Sequence, residues 1–205
     1  MTRFQSIASI LAAAAVLASG SARANILLNG DFDNGTVLAP TIPDWTTTNL
    51  QYGPAGLNVT LQDAAYVGSS GLSAWFNTGD SPTGGSLSQS FSTTVGAAYN
   101  LTFEYGFYGW SGIQRLNVLV SGDGAQDLNA TLTATSQGLS GYGYTFTATG
   151  TTSMLSFTDV SPSTYGSDGV LAHVSVTKGA AVPEPASAAL LLSGCVALLR
   201  RRRAA

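Results

Sequence analysis

The sequence predicts an all-β fold, an antiparallel β-sandwich flanked by an N-terminal signal peptide and a C-terminal membrane helix. Between residues 25 and 181, short runs alternate apolar with polar side chains and are broken by Gly, Asn, Asp and Pro. The first 24 residues have a basic start followed by an apolar run, and the chain ends with an apolar run and four arginines. We therefore divide the chain into a signal peptide (1–24), an exported domain (25–181) and a C-terminal segment (182–205).

The N-terminal segment has the three parts of a secretory signal peptide. Arg3 supplies the positive start, residues 7–18 are apolar, and Ala22 and Ala24 form an A-x-A cleavage site around Arg23. We expect export by the Sec machinery and cleavage by signal peptidase, so that the mature chain begins at Asn25.

The exported domain shows almost no helical periodicity. Nine runs predict strands, at residues 57–61, 71–76, 86–93, 99–107, 115–121, 128–134, 142–148, 154–158 and 170–177, and residues 150–153 and 160–168 are predicted loops. In three strands the alternation is clearest, and their alternate apolar residues are expected to share a core face. These sets are Leu101, Phe103, Tyr105 and Phe107; Leu116, Val118 and Val120; and Val170, Ala172, Val174 and Val176.

The exported domain is acidic once the terminal segments are set aside. Two basic residues, Arg115 and Lys178, stand against ten acidic ones, a net charge of about −8. Such a surface repels nucleic acid and anionic lipid, so we expect no nucleic-acid partner. It suits divalent cations or neutral glycans better. The only cysteine, Cys195, lies in the C-terminal segment, which excludes a disulfide within the domain.

The C-terminal segment combines a rigid turn, a short apolar span and a basic end. The turn is Val182, Pro183, Glu184 and Pro185, and the basic end is Arg200, Arg201, Arg202 and Arg203. The prolines keep the turn extended and open to an enzyme. Residues 186–199 would rise about 21 Å as a helix, and arginine stems extend such a span by snorkelling, with their charges on the cytoplasmic side.

This segment resembles the PEP-CTERM sorting signal of Gram-negative bacteria in order, spacing and terminal position. The resemblance implies recognition by an exosortase, a membrane enzyme that cleaves near the Pro-Glu-Pro motif. The protein would pass through the inner membrane as a sorting intermediate and then reach the cell surface or extracellular matrix. A plain tail anchor is the alternative, although an anchor does not require Pro183 and Pro185.

The opening of the exported domain, residues 25–35 with Trp45 downstream, resembles secreted jelly-roll domains of the galactose-binding type. Several of these hold a structural calcium ion between an acidic residue of the opening segment and an Asp of the last strand. The resemblance makes Asp31 and Asp33 candidate ligands. Ala172 stands where that Asp is expected, so Asp168 is considered as a substitute. The alternative is that Asp31 and Asp33 only stabilise a turn.

No catalytic constellation is found in the sequence. His173 is the only histidine, Glu104 is the only glutamate of the exported domain, and no serine lies in a Gly-x-Ser-x-Gly motif. One histidine cannot build a zinc cluster. We therefore expect a protein that is not an enzyme and assign no catalytic residue.

Aromatic residues supply the remaining candidate binding site. Glycines flank Trp110 just past the end of a predicted strand, and Tyr108 precedes it, which is where rings can stack on a pyranose. Other candidates are Tyr142, Tyr144 and Tyr165, with Trp45 and Trp75 ranked lower. The predicted function is a non-catalytic binding or structural module associated with exopolysaccharide. The alternative is a secreted polysaccharide hydrolase, which a carboxylate pair facing an open cleft would favour.

Overall fold

The computed structural model describes residues 23–39, 41–48, 58–80, 82–110, 112–163 and 165–179. Ala22, the Pro-Glu-Pro motif, the apolar span and the arginines lie outside the described residues. Within the described part of the chain, no helix is long and apolar enough to cross a membrane.

The domain consists of two five-stranded antiparallel sheets. The first sheet has the order β1-β4-β9-β6-β7 and the second has the order β2-β3-β10-β5-β8. The strands are β1 (Thr46–Thr48), β2 (Val59–Asp63), β3 (Leu72–Phe76), β4 (Ser86–Ser92), β5 (Ala98–Gly109), β6 (Gln114–Gly122), β7 (Ala125–Ala134), β8 (Gly138–Thr147), β9 (Thr152–Asp159) and β10 (Ser167–Lys178), with a 3-10 helix at Ala64–Val67 between β2 and β3. The predicted antiparallel sandwich is confirmed.

The nine predicted strands correspond to β2 to β10, with ends that differ by a few residues. The prediction missed β1, a three-residue edge strand of threonines that carries no apolar alternation. It also assigned the start of β9 and the start of β10 to loops, because Thr152, Ser153, Ser167 and Asp168 give a turn-like polar pattern. Backbone pairing with neighbouring strands extends both elements beyond their apolar runs.

The core lies between the two sheets and contains the predicted side chains of β5 and β6. Leu101, Phe103, Tyr105 and Phe107 are at most 5% exposed, and Leu116, Val118 and Val120 are fully buried. Phe103 on one sheet meets Phe157 on the other edge to face, with ring centroids 5.2 Å apart. Burial raises the pKa of the Tyr105 hydroxyl, and the charge of Asp159 raises it further.

The prediction for β10 was wrong in one respect. Leu171 pairs with Tyr105 and Val176 with Leu101, so these two residues share the core face. Val170 and Ala172 lie on the opposite face of the sheet, although they are also buried. A β-bulge between Ala172 and Ser175, where His173 has a φ of 51°, changes the alternation.

The opening segment packs along the second half of β10, beyond the point where β3 ends. Val174 donates its N–H to the Gly30 carbonyl at 2.7 Å, and the Asn25 side chain bonds to the backbone of Val174 and Val176. Phe32 is fully buried and packs on Trp45, with ring centroids 5.6 Å apart. Of the residues on which the jelly-roll resemblance depends, Leu27, Phe32 and Trp45 lie in the core.

Candidate functional site

A cleft of about 490 Å³ lies where the end of β5 meets the start of β10. In the register of these two strands, Tyr108 pairs with Asp168 and Gly109 with Ser167. The turn after β3 and the loop before β10 complete the walls. The lining residues are Gly79, Asp80, Tyr108, Gly109, Trp110, Gln137, Tyr165, Gly166, Ser167 and Asp168.

Two glycines allow the backbones at the cleft to approach closely. Gly109 has a φ of 134°, and a Cβ atom there would lie 2.1 Å from the Gly166 carbonyl oxygen. Gly166 has a φ of 69°, and a Cβ atom there would lie 2.6 Å from the indole nitrogen of Trp110. The backbone N–H of Trp110 donates to the Gly166 carbonyl at 3.1 Å. The position of Trp110 therefore depends on the absence of a side chain at residue 166.

The mouth of the cleft carries two exposed aromatic rings. Trp110 is 89% exposed and Tyr165 is 78% exposed. Tyr108, on the face of β5 opposite the core, is 41% exposed and contacts Trp75 with ring centroids 5.2 Å apart. Tyr66, on the 3-10 helix, contacts both of these rings and is 62% exposed. Aromatic surface thus extends from the cleft across the outer face of the second sheet.

Two carboxylates lie in the same cleft. Burial raises the pKa of Asp168 to about 7, and the nearby charge of Asp80 contributes to this shift. Asp80 accepts a hydrogen bond from the Gly166 N–H at 2.7 Å, which ties the turn after β3 to the loop that carries Tyr165. None of the residues that line the cleft in the described part of the chain is basic. The arrangement places two hydrogen-bond acceptors in the same cleft as the exposed rings.

A family model, described as a protein of unknown function (DUF642), matches residues 25–168. The chain belongs to the DUF642 family. The match begins at the residue where the sequence predicts the mature chain to start. None of the curated proteins compared with this chain matches it.

The DUF642 domain has the fold of several solved carbohydrate-binding modules. TmCBM61, solved in complex with β-1,4-galactotriose, is 15% identical with a TM-score of 0.53, covering 76% of this chain and 99% of that one. The CBM22-1 xylan-binding domain of Paenibacillus barcinonensis Xyn10C is 16% identical with a TM-score of 0.53, covering 79% and 100%. The N-terminal cellulose-binding domain of Cellulomonas fimi β-1,4-glucanase C is 17% identical with a TM-score of 0.52, covering 78% and 100%. At these identities the likeness establishes the fold.

The DUF642 domain brings some of the predicted aromatic residues together and separates others. Tyr108, Trp110 and Tyr165 line one cleft. Tyr142 and Tyr144 lie on the opposite side of the second sheet, where both stack on Phe103 at the core, so they do not belong to this site. Burial raises the pKa of Tyr144, and Tyr142 adds to the shift.

The two remaining tryptophans, which the sequence ranks lower as binding candidates, have packing roles. Trp45 lies in the core against Phe32 and Phe157. Trp75 is 4% exposed and supports Tyr108 on the outer face.

Asp80 and Gln137 are cleft residues that the sequence reasoning missed. Asp80 stands in a Gly-Asp turn signal, which predicts a loop but gives no indication of which loop it meets. Asp168 was considered only as a calcium ligand. In the DUF642 domain it lies near the Phe76 end of β3, whereas Asp33 bonds to Leu72 at the other end, about 13 Å along the strand. Asp168 therefore does not complete a site with Asp33.

Asp31 and Asp33 both accept hydrogen bonds from backbone N–H groups. Asp33 Oδ1 accepts a hydrogen bond from the Leu72 N–H at 2.9 Å, and Asp31 Oδ1 accepts one from the Asp33 N–H at 3.4 Å. Over the described ranges, no group of three or more His, Cys, Asp or Glu residues is arranged to hold a metal ion. The hydrogen bond of Asp31 supports the turn-stabilising interpretation, whereas Asp33 ties the opening segment to the start of β3. A calcium ion at Asp31 and Asp33 stays a prediction.

His173 is exposed, as the sequence predicts, and it meets the only glutamate of the domain. Its Nδ1 atom lies 3.0 Å from Glu104 Oε2 on the outer face of the second sheet. Both side chains are about two-fifths exposed. Nucleophilic catalysis would also need a hydroxyl or thiol within hydrogen-bond reach of the other ring nitrogen, and none is bonded to His173 among the described residues. The pair therefore gives no support to that chemistry.

Proposed function

We propose that this protein is an exported, non-catalytic carbohydrate-binding module that associates with exopolysaccharide at the cell surface or in the extracellular matrix. The observation that carries the proposal is the cleft itself, with Trp110 and Tyr165 exposed at its mouth and Asp80 and Asp168 inside it. Exposed rings beside fixed acceptors are the combination that sugar recognition requires.

The physical case rests on what Trp110 and Tyr165 gain from a ligand. A large ring that is almost fully exposed contributes little to folding, because it buries little apolar surface. Covering such a ring with the apolar face of a pyranose is worth on the order of 2 kcal/mol. Carboxylates accept hydrogen bonds from sugar hydroxyls strongly, because the acceptor is charged.

The outer face of the second sheet offers room for further sugar units. Tyr108 lies between the cleft and Tyr66, and Trp75 supports both rings from below. A chain that leaves the cleft over Tyr108 would meet Tyr66 next. We therefore expect affinity to rise with oligosaccharide length until the chain reaches Tyr66.

The fold supports the same proposal. Domains solved with galactotriose, or described as xylan-binding and cellulose-binding, share this two-sheet architecture. One β-sandwich hosts many activities, so the fold adds weight only together with the cleft.

Delivery to the surface forms the second half of the proposal. The signal peptide would direct export by the Sec machinery, and an exosortase-type enzyme would act at Pro183, Glu184 and Pro185 while the arginines hold the tail in the inner membrane. This assignment rests on the resemblance of the C-terminal segment to a PEP-CTERM signal. A module that binds exopolysaccharide needs such a route to reach its ligand.

The test is a glycan array followed by calorimetric titration with the full-length protein purified in mild detergent. We expect a polysaccharide or oligosaccharide ligand, with affinity at least tenfold lower in Trp110→Ala and Tyr165→Ala. Val95→Ala removes another exposed apolar side chain, away from the residues that line the cleft, and should bind normally. If no glycan binds, or if Trp110→Ala and Tyr165→Ala bind like the parent, the cleft is not a sugar site.

A polysaccharide hydrolase is the second candidate, and the pairing of Asp80 with Asp168 is the observation that favours it. Glycoside hydrolysis uses two carboxyl groups, one of which is held protonated as an acid. Incubating the protein with the glycans that it binds and measuring new reducing ends separates the two functions. A hydrolase would release products and lose this activity in Asp168→Asn, whereas a binding module would leave the glycans intact.

A further inference from the structure

The charge of the cleft is unbalanced. Asp80 and Asp168 line the same cleft, and the charge of the exposed Asp80 adds to the effect of burial in raising the pKa of Asp168. In the described part of the chain, neither carboxylate has a salt-bridge partner. Lys178 lies at the far end of β10, ten residues from Asp168 and about 30 Å along the strand.

The groups that surround these carboxylates also favour a positive charge. Tyr108, Trp110 and Tyr165 line the same cleft. An ammonium group within about 6 Å of such a face is attracted by the ring quadrupole. Two carboxylates and three aromatic rings in one cleft form the kind of site that binds an organic cation.

We infer that the glycan bound in this cleft contains hexosamine units with a free, protonated amino group. The inference rests on the proposed sugar-binding function and adds the charge of the ligand to it. The ammonium group would lie between Asp80 and Asp168, and the pyranose ring would stack on Trp110 or Tyr165. An amino sugar suits both the carboxylates and the aromatic rings, because it carries a cation on a pyranose ring that can stack.

Other sugar classes fit this cleft less well. A uronic acid would bring a third carboxylate to the pair and be repelled. A neutral or N-acetylated sugar could stack on the rings and donate hydroxyl hydrogen bonds to the carboxylates. It would leave their negative charge uncompensated, which is costly where the ligand desolvates the ion. We therefore expect a preference that depends on the amino group and is weakened by salt.

The direct test is calorimetric titration of the full-length protein in mild detergent with four hexamers at matched ionic strength. Three are β-1,4-linked hexamers of glucosamine, N-acetylglucosamine and glucose. The fourth is a hexamer of lysine, which is a cation without a sugar ring. We expect the glucosamine hexamer to bind at least tenfold more tightly than the other three. Equal or tighter binding of the N-acetylglucosamine or glucose hexamer would overturn the inference while leaving the proposed function in place. Equal binding of the lysine hexamer would overturn it as well, because the cleft would then recognise charge alone.

Variants of the two aspartates test whether the preference for glucosamine arises in the cleft. Asp168→Asn and Asp80→Asn should each reduce the preference for glucosamine over N-acetylglucosamine about tenfold. Glu104→Gln removes the same charge from the same face of the sheet but outside the cleft, and it should keep the preference. A preference that survives both Asp variants, or that Glu104→Gln also loses, would contradict the assignment. Absence of binding by all three sugar hexamers would count against the proposed function itself.

The pH dependence provides an independent readout. Because Asp168 is largely protonated below about pH 7 in the free protein, binding a cation must displace its proton there. The amino groups of the glucosamine hexamer also lose protons near neutral pH, an effect that is common to the parent and to Asp168→Asn. The ratio of the parent's affinity to that of Asp168→Asn should therefore rise as the pH increases from about 5.5 to about 7. A ratio that stays constant over this range would contradict a role for Asp168 as the counter-ion.

Discussion

The indole of Trp110 lies directly against the backbone of Gly166, with its nitrogen 2.6 Å from the position that a Cβ atom would occupy. A substitution as small as Gly166→Ala must therefore move the ring. We expect glycan affinity to fall about tenfold and the free energy of unfolding to fall by about 1–2 kcal/mol, because residue 166 has a positive φ. Calorimetric titration and urea unfolding measure the two effects.

Gly124→Ala is the matched control for this prediction. Gly124 has a φ of 80° and lies in the turn between β6 and β7, where a Cβ atom would meet open space. The variant should lose a similar amount of stability and keep its glycan affinity. If Gly166→Ala binds like Gly124→Ala, the indole position is unimportant for the ligand.

The charge of Asp168 predicts a pH-dependent stability. Its pKa is about 7 in the folded protein and near 3.8 when the chain is unfolded, so folding favours the protonated form. This contribution is present at low pH and is lost as the pH rises from about 4 to about 7. Asp168→Asn should therefore stabilise the protein at pH 8 by about 1–2 kcal/mol, allowing for partial screening by solvent, and have little effect at pH 4.

Urea unfolding of the parent and of Asp168→Asn at both pH values tests this prediction. Glu104→Gln, which removes an exposed carboxylate, controls for the general reduction in negative charge. An equal increase in the free energy of unfolding of Asp168→Asn at both pH values would show that Asp168 does not carry a destabilising charge in the folded state.

Calcium binding at Asp31 and Asp33 is a prediction of the jelly-roll resemblance. An ion that binds only the folded state adds about 2.7 kcal/mol at a hundred times its dissociation constant. Calcium should then raise the melting temperature by several degrees more than magnesium does at matched ionic strength.

The choice of variant matters here because Asp33 also accepts a hydrogen bond from the Leu72 N–H. Asp33→Asn keeps an oxygen acceptor for that N–H and removes the charge. A calcium effect that is lost in Asp33→Asn would locate the ion. Equal stabilisation of the parent by both ions, or by neither, would mean that the two aspartates serve the turn alone.

The C-terminal segment predicts a sorting phenotype. Replacing Pro183 and Pro185 together by Ala removes the extended turn, so an exosortase should no longer process the protein, and full-length chain should accumulate in the inner membrane. Cell fractionation measures where the protein accumulates, and mass spectrometry shows whether its C-terminus has been cleaved. Normal release and processing of the double variant would leave a plain tail anchor as the better interpretation.

Much of the fold could be predicted because local alternation determined it. The apolar pattern of Leu101, Phe103 and Tyr105 is a property of adjacent residues, and it identified both the strand and its core face. The position of Trp110 between glycines likewise indicated a ring exposed beyond a strand end.

Long-range pairing could not be predicted in the same way. Asp80 reaches the cleft through a hydrogen bond to Gly166, 86 residues away, and no local pattern encodes that contact. Tyr142 and Tyr165 have similar sequence surroundings, yet strand register places Tyr142 at the core while Tyr165 lies at the cleft in the loop before β10. The register of a whole sheet decides which polar and aromatic residues meet.

The bulge at His173 has a consequence for the cleft that lies about five residues away. In an unbroken strand, Asp168 and Val176 are an even number of residues apart and would lie on the same face of the sheet. Either the carboxylate of Asp168 would then enter the core, or the side chain of Val176 would leave it. The one extra residue of the bulge switches the alternation of side chains between the two faces halfway along β10. A single strand can therefore supply an acid to the ligand at one end and an aliphatic side chain to the interior at the other, and straightening it by deleting one residue would sacrifice one of these two contributions.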